Sequence, residues 1–440
     1  MKTKTPKIAM VSLGCSKNLV DSENILGWLV HGGATFCQDP ELADILIINT
    51  CGFVKDAKEE SINTILQMAR LKDEGGLGKL IVTGCLAERY EKDLVREIPE
   101  VDHVVGLENF DKIAELSGIS GQKRGSNGSC NEWDSFRIRL TPRHYAYLKI
   151  SEGCNNSCSY CAIPAIRGPF KSRPMDKILR EARGLAASGA KELNLIAQDS
   201  TLYGKDLYGH QCLHELLGML SEINSLKWIR LLYTHPAHFY PELIKEIAQN
   251  EKVVKYIDIP IQHISDRMLE MMGRQVTRSQ VEGLMQRLRE EVSGLFLRTA
   301  VIVGFPGEGK REFCELLAFL EEAAFERLGA FVYSREDGTP AATFKGRVPE
   351  AEKRRRLTEV MTLQQGIIFR NNAHLVGQTL EVLVDGPQKD GQGWLARSYG
   401  DAPEVDSNVI VFGQRLVPGE FKKVIVTRQE GYDLVADCVE

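Results

Sequence analysis

The sequence predicts an α/β chain in three parts. An N-terminal parallel α/β domain spans 1–136, a central partial (β/α)6 barrel with a connector helix spans 137–374, and a small five-stranded β-barrel of oligonucleotide-binding type spans 375–440. Three observations predict this order. Near the start, apolar runs alternate with charged, helix-like stretches. Six more strand-like runs then alternate with helical patterns, and the end of the chain holds short runs broken by Gly, Pro and Asp.

With 440 residues the chain exceeds one ordinary core and divides into domains. Its 43% apolar and 26% charged content is that of a globular protein. No run approaches the roughly 18 uncharged apolar residues of a membrane span. The start, Met1-Lys-Thr-Lys-Thr-Pro6, leads into a strand instead of a signal-peptide core, so a cytoplasmic protein is expected. Eleven Cys clustered at loop positions fit metal ligation in a reducing compartment better than a disulfide framework.

The first domain repeats one pattern three times. Ile8 to Cys15, Asp44 to Cys51 and Lys79 to Cys85 are each an apolar run ending in a cysteine and followed by a helix-like stretch. Such runs are buried parallel strands, and ligands of such sheets bind beyond the carboxyl ends of the strands. Any one of these thiols alone reads as a buried thiol. Recurring at one structural position, Cys15, Cys51 and Cys85 read as a three-sulfur ligand set. Cys37, Cys130, Cys212, Cys314 and Cys438 lack this placement and read as structural.

In the middle domain the strand candidates are Tyr145–Ile150, Glu192–Ala197, Trp228–Tyr233, Val253–Ile259, Phe296–Val303 and Leu328–Tyr333. The clearest helix face between them is Phe313, Leu316, Leu317, Leu320 and Ala324. Directly after the first strand comes Cys154-Asn-Asn-Ser-Cys158-Ser-Tyr-Cys161, at the rim where such barrels keep their active residues. Structural zinc needs a fourth ligand, and His144 and Cys130 lie outside any zinc spacing. Three Cys on a 4Fe-4S cluster leave one iron open, and this spacing resembles the radical S-adenosylmethionine (radical SAM) signature. Gln198–Thr201, Gln262-His263 and Gly304-Phe-Pro-Gly-Glu308 bring polar groups or close-approaching backbone to the same end. His263 reads as a core histidine bonded to backbone ahead of a catalytic one.

The Lys353-Arg-Arg-Arg356 run sits on the connector and reads as a solvated helix face, with phosphate contact as the alternative. Beyond it, Thr379–Val384, Asn408–Phe412, Lys422–Thr427 and Tyr432–Ala436 are the strand candidates of the last module.

Gly14-Cys15-Ser-Lys-Asn18, Asn49-Thr-Cys51-Gly52, Thr83-Gly-Cys85, the Cys154 loop, Ser172-Arg-Pro174 and Gly304–Glu308 occur in the order of the methylthiotransferases, a radical SAM family, and nearly the whole chain resembles it. Gly309-Lys310 departs from the pattern, where Thr is commoner. The resemblance implies two 4Fe-4S clusters and S-adenosylmethionine. Cys154, Cys158 and Cys161 would hold the cluster that cleaves the cofactor, and Cys15, Cys51 and Cys85 an auxiliary one carrying sulfur. It also implies that the last module is a TRAM domain presenting the macromolecular substrate.

Charge separates the substrates this family takes. Residues 376–440 hold eleven acidic against six basic side chains, the whole net charge of −5, while the rest balances at 49 of each sign. A barrel that binds RNA is expected to be basic; an acidic one attracts a basic partner. Arg397-Ser-Tyr-Gly-Asp-Ala-Pro-Glu-Val-Asp406 resembles the branch acting on ribosomal protein S12, with Val405 where Ile is commoner. That resemblance implies methylthiolation of an aspartate β-carbon in S12, free or within the small ribosomal subunit. tRNA adenosine methylthiolation is the alternative, opposed by the charge.

Overall fold

A computed structural model of the chain describes residues 5–73, 75–119, 136–389, 391–413 and 415–439. The chain forms two compact units. One comprises Met1–Leu140, Cys161–Pro169 and Ser334–Gly338; the other comprises Thr141–Tyr160, Phe170–Tyr333 and Thr339–Glu440. Cys130 lies outside the described residues. Among those residues no helix is long and apolar enough to cross a membrane.

In the first unit, β1 (Lys7–Ser12), α1 (Ser16–His31), β2 (Thr35–Phe36), β3 (Ile45–Thr50), α2 (Lys55–Asp73), β4 (Lys79–Gly84), α3 (Cys85–Glu97) and β5 (His103–Val105) follow in turn. The strands form one parallel sheet in the order β2-β1-β3-β4-β5. Every residue of β3 is buried, which is why that run reads as continuously apolar. Leu46, Ile48, Leu80 and Val82 pack on one face, and Ile8, Ile47 and Ile81 on the other. Strand order reverses between β1 and β3, which makes the crevice beyond their carboxyl ends the natural ligand position.

The second unit holds β6 (Tyr145–Lys149), then a short pair β7 (Ser151–Glu152) and β8 (Lys171–Ser172), and then β9 (Glu192–Ile196), β10 (Trp228–Leu231), β11 (Val253–Asp258), β12 (Phe296–Val303) and β13 (Arg327–Val332). All six expected strands are present, parallel and adjacent in chain order. Ala146, Leu148, Leu193, Leu195, Ile229, Leu231 and Ile257 face the flanking helices in the main core. The alternate positions carry polar side chains, among them Tyr145, Tyr147, Glu192, Arg230, Tyr256 and Arg298.

A long helix, Glu350–Leu375, leads to a closed barrel of β14 (Thr379–Pro387), β15 (Trp394–Ser398), β16 (Val409–Phe412), β17 (Phe421–Glu430) and β18 (Asp433–Cys438). Strand β15 was not among the expected candidates. The segment after it docks on the amino-terminal half of the six-stranded sheet. Tyr145 donates to Glu404 at 2.9 Å, Tyr256 donates to Asp406 at 2.6 Å, and Arg230 donates to the Tyr399 carbonyl at 2.7 Å. Arg327 pairs with Asp401, and Arg298 reaches Asp406 at 3.3 Å. Arg397 of β15 binds Glu192 and Asp385, both at 2.8 Å.

Three expectations need correcting. The Lys353–Arg356 run is not simply a solvated face: Arg356 is buried on Glu308 at 3.1 Å, and Lys353 donates to the Tyr333 carbonyl at 2.9 Å. Arg356 holds the Gly304–Glu308 turn through Glu308, which itself accepts from the amides of Gly304 and Phe305. Ala324 falls just beyond its helix, at φ 46°, and Phe319 completes the apolar face instead. Of the cysteines read as structural, Cys212 is buried but Cys314 is exposed.

Candidate functional site

The two thiol sets are built differently. Cys154 and Cys158 lie on an irregular loop just after β7, and the loop is pinned at several points. Asn156 presents its amide to the Cys154 sulfur at 3.4 Å and donates its side chain to Asp199 at 2.8 Å. Asp199 also accepts from His238 at 2.7 Å and from the Thr201 hydroxyl at 2.5 Å. On the other side Ser159 bonds the carbonyls of Met271 and Met272, and Arg274 reaches the Cys158 sulfur at 3.5 Å. Gly273 sits at φ +69°, and a Cβ there would lie 2.5 Å from the Ser157 carbonyl oxygen, so the backbone approaches where no side chain fits. Burial pushes the Cys154 thiol up, against the Asn156 amide that favours its anion.

Cys161 is half-buried and belongs to the first unit. Its neighbour Ala162 packs with Ile166 against Cys85.

Cys15, Cys51 and Cys85 do converge. Each follows a sheet strand, with Cys15 and Cys51 flanking the switch point between β1 and β3. Gly14 has φ +87°, and a Cβ on it would lie 2.7 Å from the Cys51 Cβ and 3.0 Å from its sulfur. Asn18, one turn into α1, ties the three loops together. Its amide donates to the carbonyls of Leu13 at 3.0 Å and Thr50 at 2.9 Å, and its oxygen lies 3.5 Å from the Cys85 sulfur. Burial pushes the Cys85 thiol up to about 12, and the neighbouring Cys15 and Cys51 add to it while Arg167 opposes.

Three soft sulfurs beyond the carboxyl ends of neighbouring strands, with their loops fixed by a shared asparagine, suit a 4Fe-4S cluster that needs no fourth protein ligand. The pinned Cys154 loop suits one equally. Because each bound thiol must lose its proton, loading either set releases protons.

His263 is fully buried, accepts from the amides of Ile264 and Ser265 at 2.9 and 3.0 Å, and is held by burial at a pKa of about 3, which is the core role expected of it. Asn18, Asn156 and Asp199 lie inside the segments Gly14–Asn18, Cys154–Cys161 and Gln198–Thr201 that the sequence marks, though their individual roles were not legible there; Arg167 and Arg274 carry no local pattern.

Residues 7–106 match the uncharacterized protein family UPF0004, 148–320 the radical SAM superfamily, and 376–439 the TRAM domain. The radical SAM family implies S-adenosylmethionine and a 4Fe-4S cluster. Among solved structures, the radical SAM methyltransferase TsrM from Kitasatospora setae aligns with TM-score 0.54 at 17% identity, over 77% of each chain. The cobalamin-dependent radical enzyme OxsB aligns with TM-score 0.52 at 14% identity, over 82% of this chain and 56% of its own. Both likenesses concern the fold. Much nearer are proteins named ribosomal protein uS12 methylthiotransferase RimO. That of Acetivibrio thermocellus is 46% identical over 98% of both chains, and that of Geobacter sulfurreducens 45% identical over the full length of both. With such identity along its whole length, the chain belongs to the ribosomal protein uS12 methylthiotransferase (RimO) family of radical SAM enzymes.

Proposed function

We propose that the chain methylthiolates the β-carbon of an aspartate in ribosomal protein S12, inserting sulfur into a C–H bond and capping it with a methyl group. The observation that carries this reading is the 45–46% identity to uS12 methylthiotransferases along the whole chain. In this reading Cys154, Cys158 and Cys161 hold the cluster that binds S-adenosylmethionine, and Cys15, Cys51 and Cys85 hold a second 4Fe-4S cluster. Such centres, when bound, supply one-electron chemistry at low potential and a place to carry sulfur.

The protein's own part is to position and shield. Asn156 and Asp199 fix the Cys154 end of the loop, while Ser159 and Arg274 fix the other. Asn18 fixes the second set. Rigid placement of the reacting groups accounts for most of the expected rate gain, since orientation alone contributes about 7–11 kcal/mol in favourable cases.

The working division is 1–136 for the methylthiotransferase domain, 137–374 for the radical SAM domain with its connector, and 375–440 for the TRAM domain. S12, a basic protein, would be received by the acidic C-terminal barrel in the cytoplasm. The test is to incubate the anaerobically reconstituted enzyme, S-adenosylmethionine and a reductant with small ribosomal subunits and, separately, with tRNA. S12 should gain the mass of one methylthio group in place of hydrogen. A gain on tRNA alone would overturn the assignment. Within the same assay, Cys154→Ala should abolish cofactor cleavage, whereas Cys51→Ala should leave cleavage and stop sulfur insertion.

A further inference from the structure

Arg167 carries no local sequence pattern, yet through Asn18 it approaches the second thiol set. It ends a short helix, Ile163–Arg167, that begins two residues after Cys161, and it is 9% exposed. Its Nη2 donates to Asn18 Oδ1 at 2.5 Å and to Asp21 Oδ2 at 3.0 Å. That same Asn18 oxygen lies 3.5 Å from the Cys85 sulfur. Asp21 is itself buried, at 4% exposure.

We propose that Arg167 is the charge-compensating, positioning residue of the centre held by Cys15, Cys51 and Cys85, and that it raises the reduction potential of that centre while Asp21 lowers it. This rests on the reading of those three cysteines as a cluster site. The physics is direct. Three thiolates and an anionic sulfur on a cluster place net negative charge in a buried site, where an unmatched charge is costly. Reduction adds one more electron and breaks no bond, so a nearby cation favours the reduced state and a nearby anion opposes it. Arg167 and Asp21, both close to Asn18, act with opposite sign.

The test uses the full chain carrying Cys154→Ala and Cys158→Ala, which leaves Cys161 and its connection to Arg167 intact and keeps only the second site. This parent should hold about four irons per chain. Reductive titration with dithionite, followed by the electron paramagnetic resonance signal of the reduced cluster, gives its midpoint. Adding Arg167→Met should shift the midpoint to more negative potential, Arg167→Lys should restore most of it, and Asp21→Asn should shift it the other way. Unchanged midpoints in variants that keep their iron would overturn the proposal, as would shifts of the same direction for Arg167→Met and Asp21→Asn. If Arg167→Met alone fails to hold iron, the Lys and Asn variants decide by the same signs. A parent without iron would instead sink the two-centre reading on which this rests.

Discussion

Gly14 decides whether the second thiol set can close. At φ +87° an L side chain is strained by about 1–2 kcal/mol, and an added methyl would press on Cys51 from 2.7 Å. Gly14→Ala is therefore expected to lower reconstituted iron from about eight to about four per chain while leaving far-ultraviolet circular dichroism unchanged. His263 tests the opposite kind of position, a fully buried imidazole that accepts from the backbone amides of Ile264 and Ser265. Its folded pKa of about 3 lies below the usual imidazole value, so the unfolded chain takes up the proton first as pH falls. The neutral ring's contribution is complete above about pH 6.5 and declines as pH drops toward 3; by pH 5 the loss is about 2 kcal/mol. Urea unfolding of the apoprotein at pH 7 and pH 5 should show His263→Gln with a difference between the two pH values smaller by about that amount.

Among elements, the link between β15 and β16 sets the mechanical character of the second unit. Asp401 and Arg327 form a buried pair, at 2% and 6% side-chain exposure. Removing one partner leaves the other charge buried, which costs about 3–5 kcal/mol. Asp401→Ala should lower the urea midpoint accordingly, and the double change Asp401→Ala with Arg327→Met should recover part of the loss. This region also marks the limit of what the sequence made legible. The six strands of the large sheet were readable because their helix-facing positions, such as Leu193, Leu195, Ile229 and Leu231, keep a clean apolar pattern. Strand β15 was not, because it buries Arg397 and Ser398 by pairing them with Glu192, Asp385 and Asp401, so its polar letters resemble a loop. The thiol sets were legible because cysteine at fixed spacing has few other meanings. Asn18 and Arg167 take their meaning from contacts across 32 or more residues of chain, such as Asn18 with Thr50 and Arg167 with Asp21, which no local pattern encodes.

At the scale of the whole molecule, the acidic balance of the C-terminal barrel needs partitioning. Asp385, Asp401, Glu404 and Asp406 are engaged by His144, Tyr145, Tyr256 and arginines within the second unit. Burial would raise Asp385, but the His144 bond and the Arg397 charge more than offset it and hold its carboxyl below the usual range. In the proposed reading, recognition of a basic partner would fall to exposed carboxylates such as Asp437 and Glu430, the latter shared with Arg428 at 3.0 Å. Reversing both to Lys should weaken binding of purified S12, most at low ionic strength, and leave cofactor cleavage unchanged. The docked segment carries a last consequence, for anyone who would treat this barrel as an interchangeable module. Cutting the chain at residue 375 strips Arg230, Arg298 and Arg327 of counter-groups supplied by residues 399–406, so a truncated protein should come out insoluble. A hybrid bearing a relative's barrel should survive only when the graft brings its own matching acidic loop.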